Sequence, residues 1–192
     1  FMLVFRKQLY FFADTTVSID PTAEDMAETA ILTADFVRRL SINPRVAMIS
    51  FSNFGSARHP ESEKVRRAAE IVKHLRPDIP IDGEMQADTA IVEDILKTRY
   101  PFSDLKRPAN VLVFPNLTAA NASYKLLARL GGATAIGPVL LGMAKPVHLL
   151  QRGATTEDIT NLAAISVVDA AHRGRESEVV EPEAAESEPA IV

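Results

Sequence analysis

An α/β fold in three layers, with helices on both faces of a mostly parallel sheet, is predicted by three features of this 192-residue chain. Two short apolar runs, Arg45-Val46-Ala47-Met48-Ile49-Ser50-Phe51 and Asn110-Val111-Leu112-Val113-Phe114, have the unbroken hydrophobicity of strands buried on both faces. Each empties into a polar loop. Segments of helical period separate the strands, and that alternation is how parallel sheets are connected. At 47% hydrophobic residues the chain has enough apolar material for a proper core in one or two domains.

The elements follow in order. Residues 1–19 read as a hairpin, with Leu3-Val4-Phe5 and Leu9-Tyr10-Phe11-Phe12 flanking the polar Arg6-Lys7-Gln8, and Asp14 closing the second strand. A helix opens with Asp20 as N-cap and Pro21 at its first position, carries Glu24 and Asp25 early and Arg38-Arg39 late, and presents Ala27, Ala30, Ile31, Ala34 and Leu40 on one face. The first buried strand ends in Ser52-Asn53-Phe54-Gly55-Ser56, and a helix spans about 60–75. Then come a strand, a turn at Gly83 and a further helix, followed by the strand at 110–114 and a helix over 119–130 stopped by Gly131-Gly132. A short strand near 133–136, a Gly137-Pro138 corner and a last helix opening at Thr155 or Thr156 complete the series. Residues 174–192 mix Glu, Pro, Ser and Ala without period, the composition of a flexible acidic tail.

Composition narrows the function. No run of 18 apolar residues and no signal-peptide pattern is present, so neither a membrane span nor a secreted chain is expected, and the location predicted is cytoplasmic. Zero cysteines remove disulfides and thiolate chemistry, and four histidines without ligand spacing give no expectation of a protein-built metal site. The net charge is −4, but residues 175–192 hold six Glu and one Arg, so the body is nearly neutral and offers no nucleic-acid surface. The cluster Lys64-Val65-Arg66-Arg67 reads as a solvated helix face.

In an open parallel sheet, ligands bind beyond the carboxyl ends of the strands. The first buried strand delivers Ser50, Ser52, Asn53, Gly55 and Ser56 there, residues suited either to approach an anion with backbone N–H groups or simply to form a capped turn. The second delivers Asn116, Thr118 and Asn121, able to orient a ligand or to cap a helix. Glu84 and Asp88, one turn apart if a helix has begun, suit Mg²⁺ or a helix dipole. Arg152, before Gly153 and a helix start, is placed to grip phosphate or carboxylate with Asp158 locking it, or to form an ordinary surface pair. Asp169 and His172 read as surface residues.

Five stretches, "FADTTVSIDPTAEDMAETA", "VAMISFSNFGSARHP", "IDGEMQADTAIV", "NVLVFPNLTAANASYKLLARLGGATAIGPVLLGMAKPV" and "RGATTEDITNLAAISVVDA", resemble in order the phosphate acetyltransferase and butyryltransferase family. The likeness covers about residues 3–171. It implies the C-terminal part of a two-domain fold whose interdomain cleft takes coenzyme A and an acyl phosphate. Residues 1–141 then correspond to the second domain and 142–173 to a segment returning to a first domain with no counterpart here.

Active members of the family read roughly Asn-Asp-Leu-Ser-Arg-Gly where this chain has His148-Leu149-Leu150-Gln151-Arg152-Gly153. The resemblance thus retains Arg152 and Asp158, places Gln151 at the catalytic serine position, and puts Asn116 where active members commonly have Asp. A lost hydroxyl with a retained arginine implies binding without transfer. Such degenerate domains are similar to the C-terminal portion of the bacterial NADP-dependent malic enzyme family. That likeness implies an oligomerising domain, at least dimeric, that senses acetyl-CoA as effector, with NADP and Mg or Mn sites in upstream domains. An active acetyl- or butyryltransferase is the alternative, and a domain that only dimerises is the third.

Overall fold

The computed structural model describes residues 1–180. The elements are β1 (Met2–Phe5), β2 (Gln8–Ala13), α1 (Ala23–Arg39), β3 (Val46–Ile49), α2 (Pro60–Leu75), β4 (Ile81–Met85), α3 (Ala87–Ile91), α4 (Glu93–Arg99), β5 (Val111–Val113), α5 (Leu117–Arg129), β6 (Thr134–Ile136), β7 (Val139–Leu140), β8 (Val147–His148) and α6 (Thr156–Val180). Six strands form one sheet in the order β4-β3-β5-β2-β1-β6. Strands β4, β3, β5 and β2 run parallel, while β1 is antiparallel to both β2 and β6.

The hairpin closes through a two-residue loop, Arg6-Lys7, with both φ angles positive (48 and 67), the twist that two-residue connections need. Strand β3 is fully buried, and the pleat sends alternate residues to two cores. Phe11, Val46, Met48, Val111 and Val113 join α1 and α2 on one face. Leu3, Phe12, Ala47, Ile49, Leu112 and Phe114 join α3, α4 and α5 on the other. The expected three-layer architecture is therefore present.

Several local expectations are corrected. The first helix is capped by Thr22 rather than Asp20: Thr22 accepts from the Asp25 N–H, and Asp25 accepts back from the Thr22 N–H at 2.9 Å. This reciprocal cap satisfies two orphan donors, which Asp20, engaged by Lys64, does not. Gly83 makes no turn but lies within β4 at φ 144. Glu84 and Asp88 therefore occupy different elements, β4 and α3, and are not one helical turn apart. A small hairpin, β7 with β8, follows the Gly137-Pro138 corner where no strands were expected. The expected tail from 174 begins inside α6, and residues 181–192 lie outside the described residues. Lys64, Arg66 and Arg67 pair with acids on α2 or at Asp20, as a solvated face does.

The last helix docks on α1 through Asp169, which is buried rather than at the surface as its sequence context suggests. Asp169 is fully buried, accepting from Arg39 Nε at 2.5 Å and from Arg173 Nε at 3.0 Å. Arg173 also donates to the Met143 carbonyl at 2.6 Å, so one carboxylate joins α1, α6 and the loop before β8. Burial pulls the Asp169 carboxyl upward, but the bonds from Arg173 and Arg39 outweigh it and hold it below the usual carboxylate range. Ile165, one turn earlier, joins the core that α1 lines, and Leu162, two turns earlier, is buried as well.

Beside this cluster, both ring nitrogens of His148 are buried without a hydrogen-bond partner. Burial pushes the imidazole below its ordinary pKa, helped by the nearby Arg173 charge and opposed by the Val147 backbone and the pull of Asp169. The unfolded chain therefore takes up this proton first as pH falls. Stability present above the unfolded value, about 6.5, is lost as pH drops through the lower folded value. His148→Asn is expected to flatten the urea midpoint between about pH 6.5 and 5, above the range where the carboxylates titrate. A variant midpoint that still falls as steeply as the parent's would count against this assignment.

Candidate functional site

The carboxyl ends of β2, β5, β3 and β4 share one edge of the sheet, where β1 begins and β6 ends. The polar residues expected there do arrive, but with different duties. Ser52 is fully buried, and its hydroxyl donates to Glu84 Oε1 at 2.9 Å. The Gly55 N–H reaches the same oxygen at 2.6 Å, from a loop in which Phe54 and Gly55 both have positive φ (47 and 84). Ser50, Asn53 and Ser56 are spent within the loop or on the Gln86 N–H. The loop is thus a small anion nest filled by the chain's own carboxylate. It does not open α2 either, because α2 is capped three residues later by His59. The Ser52 hydroxyl and the Gly55 N–H, two of the donors expected to face an anion, are thus turned onto Glu84. Glu84 Oε2 is left buried and unpartnered.

Asn116 caps α5 by accepting from the Ala119 N–H at 2.9 Å, which is its capping alternative. Asn121 donates to the Thr15 carbonyl at 3.4 Å, and Thr118 is exposed. None of these three lines the open cavity described next.

That cavity, of about 780 Å³, lies between α5, the end of β6 and the loop leading into α6. Gln151 and Arg152, from the loop before α6, and Asp158, from its first turn, line it together. Lys125 and Arg129 join them from α5, making three cations around one space. Asp158 does not lock Arg152. Its Oδ2 accepts from the Thr155 N–H at 2.8 Å and the Thr155 hydroxyl at 2.9 Å, while the Asp158 N–H returns to Thr155. These bonds, the backbone one first, hold the Asp158 carboxyl below its ordinary value. The acid is spent on the helix cap, which leaves Arg152 without an ion pair among the described residues.

Gln151 donates from Nε2 to Tyr124 Oη at 3.3 Å, and Tyr124 stacks on Phe1 with ring centroids 4.3 Å apart. Sequence reasoning missed Tyr124, Lys125 and Arg129. The signal was available in part, since Lys125 and Arg129 are four apart and share one helix face. Chemically, the cavity offers cations and neutral donors suited to phosphate and carbonyl oxygens.

Residues 1–167 match the family model described as "Phosphate acetyl/butaryl transferase". The chain belongs to the phosphate acetyl/butyryl transferase family. All the cavity residues named above fall within the matched region. The chain is 47% identical over 163 residues to a phosphate acetyltransferase of Clostridium acetobutylicum, covering 84% of this chain and 49% of that protein. It is 49% identical over 162 residues to an NADP-dependent malic enzyme of Escherichia coli, covering 83% of this chain and 21% of that protein. A solved phosphotransacetylase from Streptococcus pyogenes superposes with a TM-score of 0.84 at 43% identity, over 89% of this chain and 53% of that one. The chain thus spans about half the length of the matched acetyltransferases and about a fifth of the malic enzyme. A phosphotransacetylase-like domain of this family occurs in both kinds of protein. No described helix is long and apolar enough to cross a membrane.

Proposed function

We propose that this domain binds an acyl-CoA, with acetyl-CoA the first candidate, without transferring its acyl group. We further propose that it is the regulatory and oligomerising part of a malic enzyme that couples malate decarboxylation to NADP reduction. The observation that carries the reading is Gln151 beside Arg152 in a cavity lined by three cations. Cations grip the ligand's phosphates, whereas a carboxamide at the family's serine position lacks the hydroxyl that would shuttle a proton or stabilise developing charge. The match to a malic enzyme at 49% identity supports the same reading. Regulation requires that acetyl-CoA bind one global state of the enzyme better than another.

The 47% identity to a phosphate acetyltransferase favours a second reading, an active acyl transfer between phosphate and coenzyme A. One assay separates them. Malate-dependent NADPH production by the natural polypeptide is expected to respond to acetyl-CoA, and Arg152→Ala is expected to shift the half-effect concentration upward about ten-fold or more, the loss of one charge-assisted contact. Acetyl phosphate formation from acetyl-CoA, with no malate oxidation, would establish the transferase instead. Gln151→Ser then reports whether the cavity is otherwise competent: under the binding reading, transfer is absent from the parent and any that emerges needs the restored hydroxyl.

A further inference from the structure

We infer that Tyr124 is the hydroxyl that reads the ligand in this cavity, and that Gln151 is the residue that positions it. The inference rests on the acyl-CoA-binding reading above. In the contact between them the Gln151 amide nitrogen donates to Tyr124 Oη at 3.3 Å. A carboxamide NH₂ only donates, so the phenol oxygen is the acceptor and its own proton is not consumed. The phenol makes no other hydrogen bond among the described residues.

The ring that carries this proton is fixed. Tyr124 is 5% exposed and its ring lies nearly parallel to that of Phe1, at 13°. The Lys125 ammonium stands 5.9 Å from the centre of the same ring. Only the torsion about the C–O bond remains free, and the carboxamide of Gln151 sets which side of the oxygen holds the acceptor lone pair. The proton is therefore directed away from Gln151, in a cavity that Arg129 and Arg152 also line. The cations supply attraction over a range of positions, whereas a neutral, rigid O–H donor supplies direction. Its complement is an oxygen acceptor on the ligand, either the acyl carbonyl or a phosphoryl oxygen. Gln151 is then not merely a lost serine: it replaces a hydroxyl at its own position by orienting a hydroxyl one helix away.

The test is calorimetric binding of acetyl-CoA, CoA and inorganic phosphate to the natural polypeptide and to its Tyr124→Phe, Gln151→Leu, doubly substituted and Arg152→Ala forms. Tyr124→Phe keeps the ring and its stacking, and an unchanged melting temperature confirms that folding is intact. Each single change at Tyr124 or Gln151 is expected to weaken acetyl-CoA binding roughly ten-fold, and the double change no more than either single one, because both remove one shared contact. A loss confined to acetyl-CoA assigns the donor to the acyl carbonyl, and an equal loss for all three ligands assigns it to a phosphoryl oxygen. Unchanged affinity in Tyr124→Phe, or losses that simply add, overturns the inference. If Arg152→Ala weakens binding while Tyr124→Phe does not, the Tyr124 assignment alone fails. If the parent binds none of the three, or Arg152→Ala changes nothing, the acyl-CoA reading fails with it.

Discussion

Asp169→Ala is expected to cost about 3 kcal/mol or more of folding stability, the low end of what breaking a buried ion pair costs. The Asp169 side chain is 1% exposed, and the two arginines it receives, Arg39 and Arg173, are 15% and 24% exposed. Removing the carboxylate leaves both guanidiniums facing each other with most of their hydration already lost. The arginines keep some access to water, which places the effect at the low end rather than the top of the range. Asp169→Asn retains an acceptor without the charge and is expected to fall between the parent and the alanine variant. Urea denaturation measures the global effect, and limited proteolysis within 156–173 reports whether α6 detaches first. A loss under about 1 kcal/mol, with α6 as protected as in the parent, would mean that the cluster behaves as an ordinary surface pair. The same substitution bears on function, since α6 begins at the Thr155–Asp158 cap that forms one wall of the cavity.

Gly83→Ala is the second large effect. A Cβ at this position would sit 2.7 Å from the Met48 carbonyl oxygen and 2.8 Å from the Met48 Cβ, with the backbone at φ 144. Both obstacles belong to β3, a fully buried strand paired on both sides, so neither yields by rotating a flexible side chain. Overpacking of this kind costs roughly 1–3 kcal/mol and a disfavoured backbone conformation a similar amount, so about 3 kcal/mol or more is expected together. The register between β3 and β4 also shifts here, from Met48 opposite Gly83 to Ile49 opposite Met85, which frees Glu84 to reach the Ser52–Gly55 loop. The variant is therefore expected to melt well below the parent. Glu84→Gln, which leaves β3 untouched and keeps a side-chain acceptor for Ser52 and Gly55, is expected to lose less. Equal melting temperatures for Gly83→Ala and the parent would show that β3 and β4 can separate without penalty.

Local and periodic features were legible in the chain itself. The unbroken hydrophobicity of 46–49 and 111–113 announced buried parallel strands because such strands face a core on both sides. The hairpin of β1 and β2 and the span of α2 followed from alternation and period in the same way. Arg152 was legible because Gly153 and the Thr155–Asp158 cap are contiguous in sequence and a cap signals its own helix start, whereas Gln151 stood out only through the family resemblance. The strand β4 is visible in the sequence, but its glycine suggests a turn there, since glycine signals permissive backbone without saying which close approach requires it.

What the sequence alone determined, then, is the α/β class and the openings of α2 and α6, which depend on neighbours within a few residues, and the family, which rests on motifs in order along most of the chain. Tertiary structure decided the rest. It paired Asp169 with Arg39 across 130 residues, turned the Ser52–Gly55 donors onto Glu84 instead of outward, and gathered Lys125 and Arg129 with Arg152 around one cavity. The physical reason is common to all three. A charge or donor seeks the nearest partner in space once water is removed, and which partner is nearest is set by how helices pack on the sheet, not by spacing along the chain.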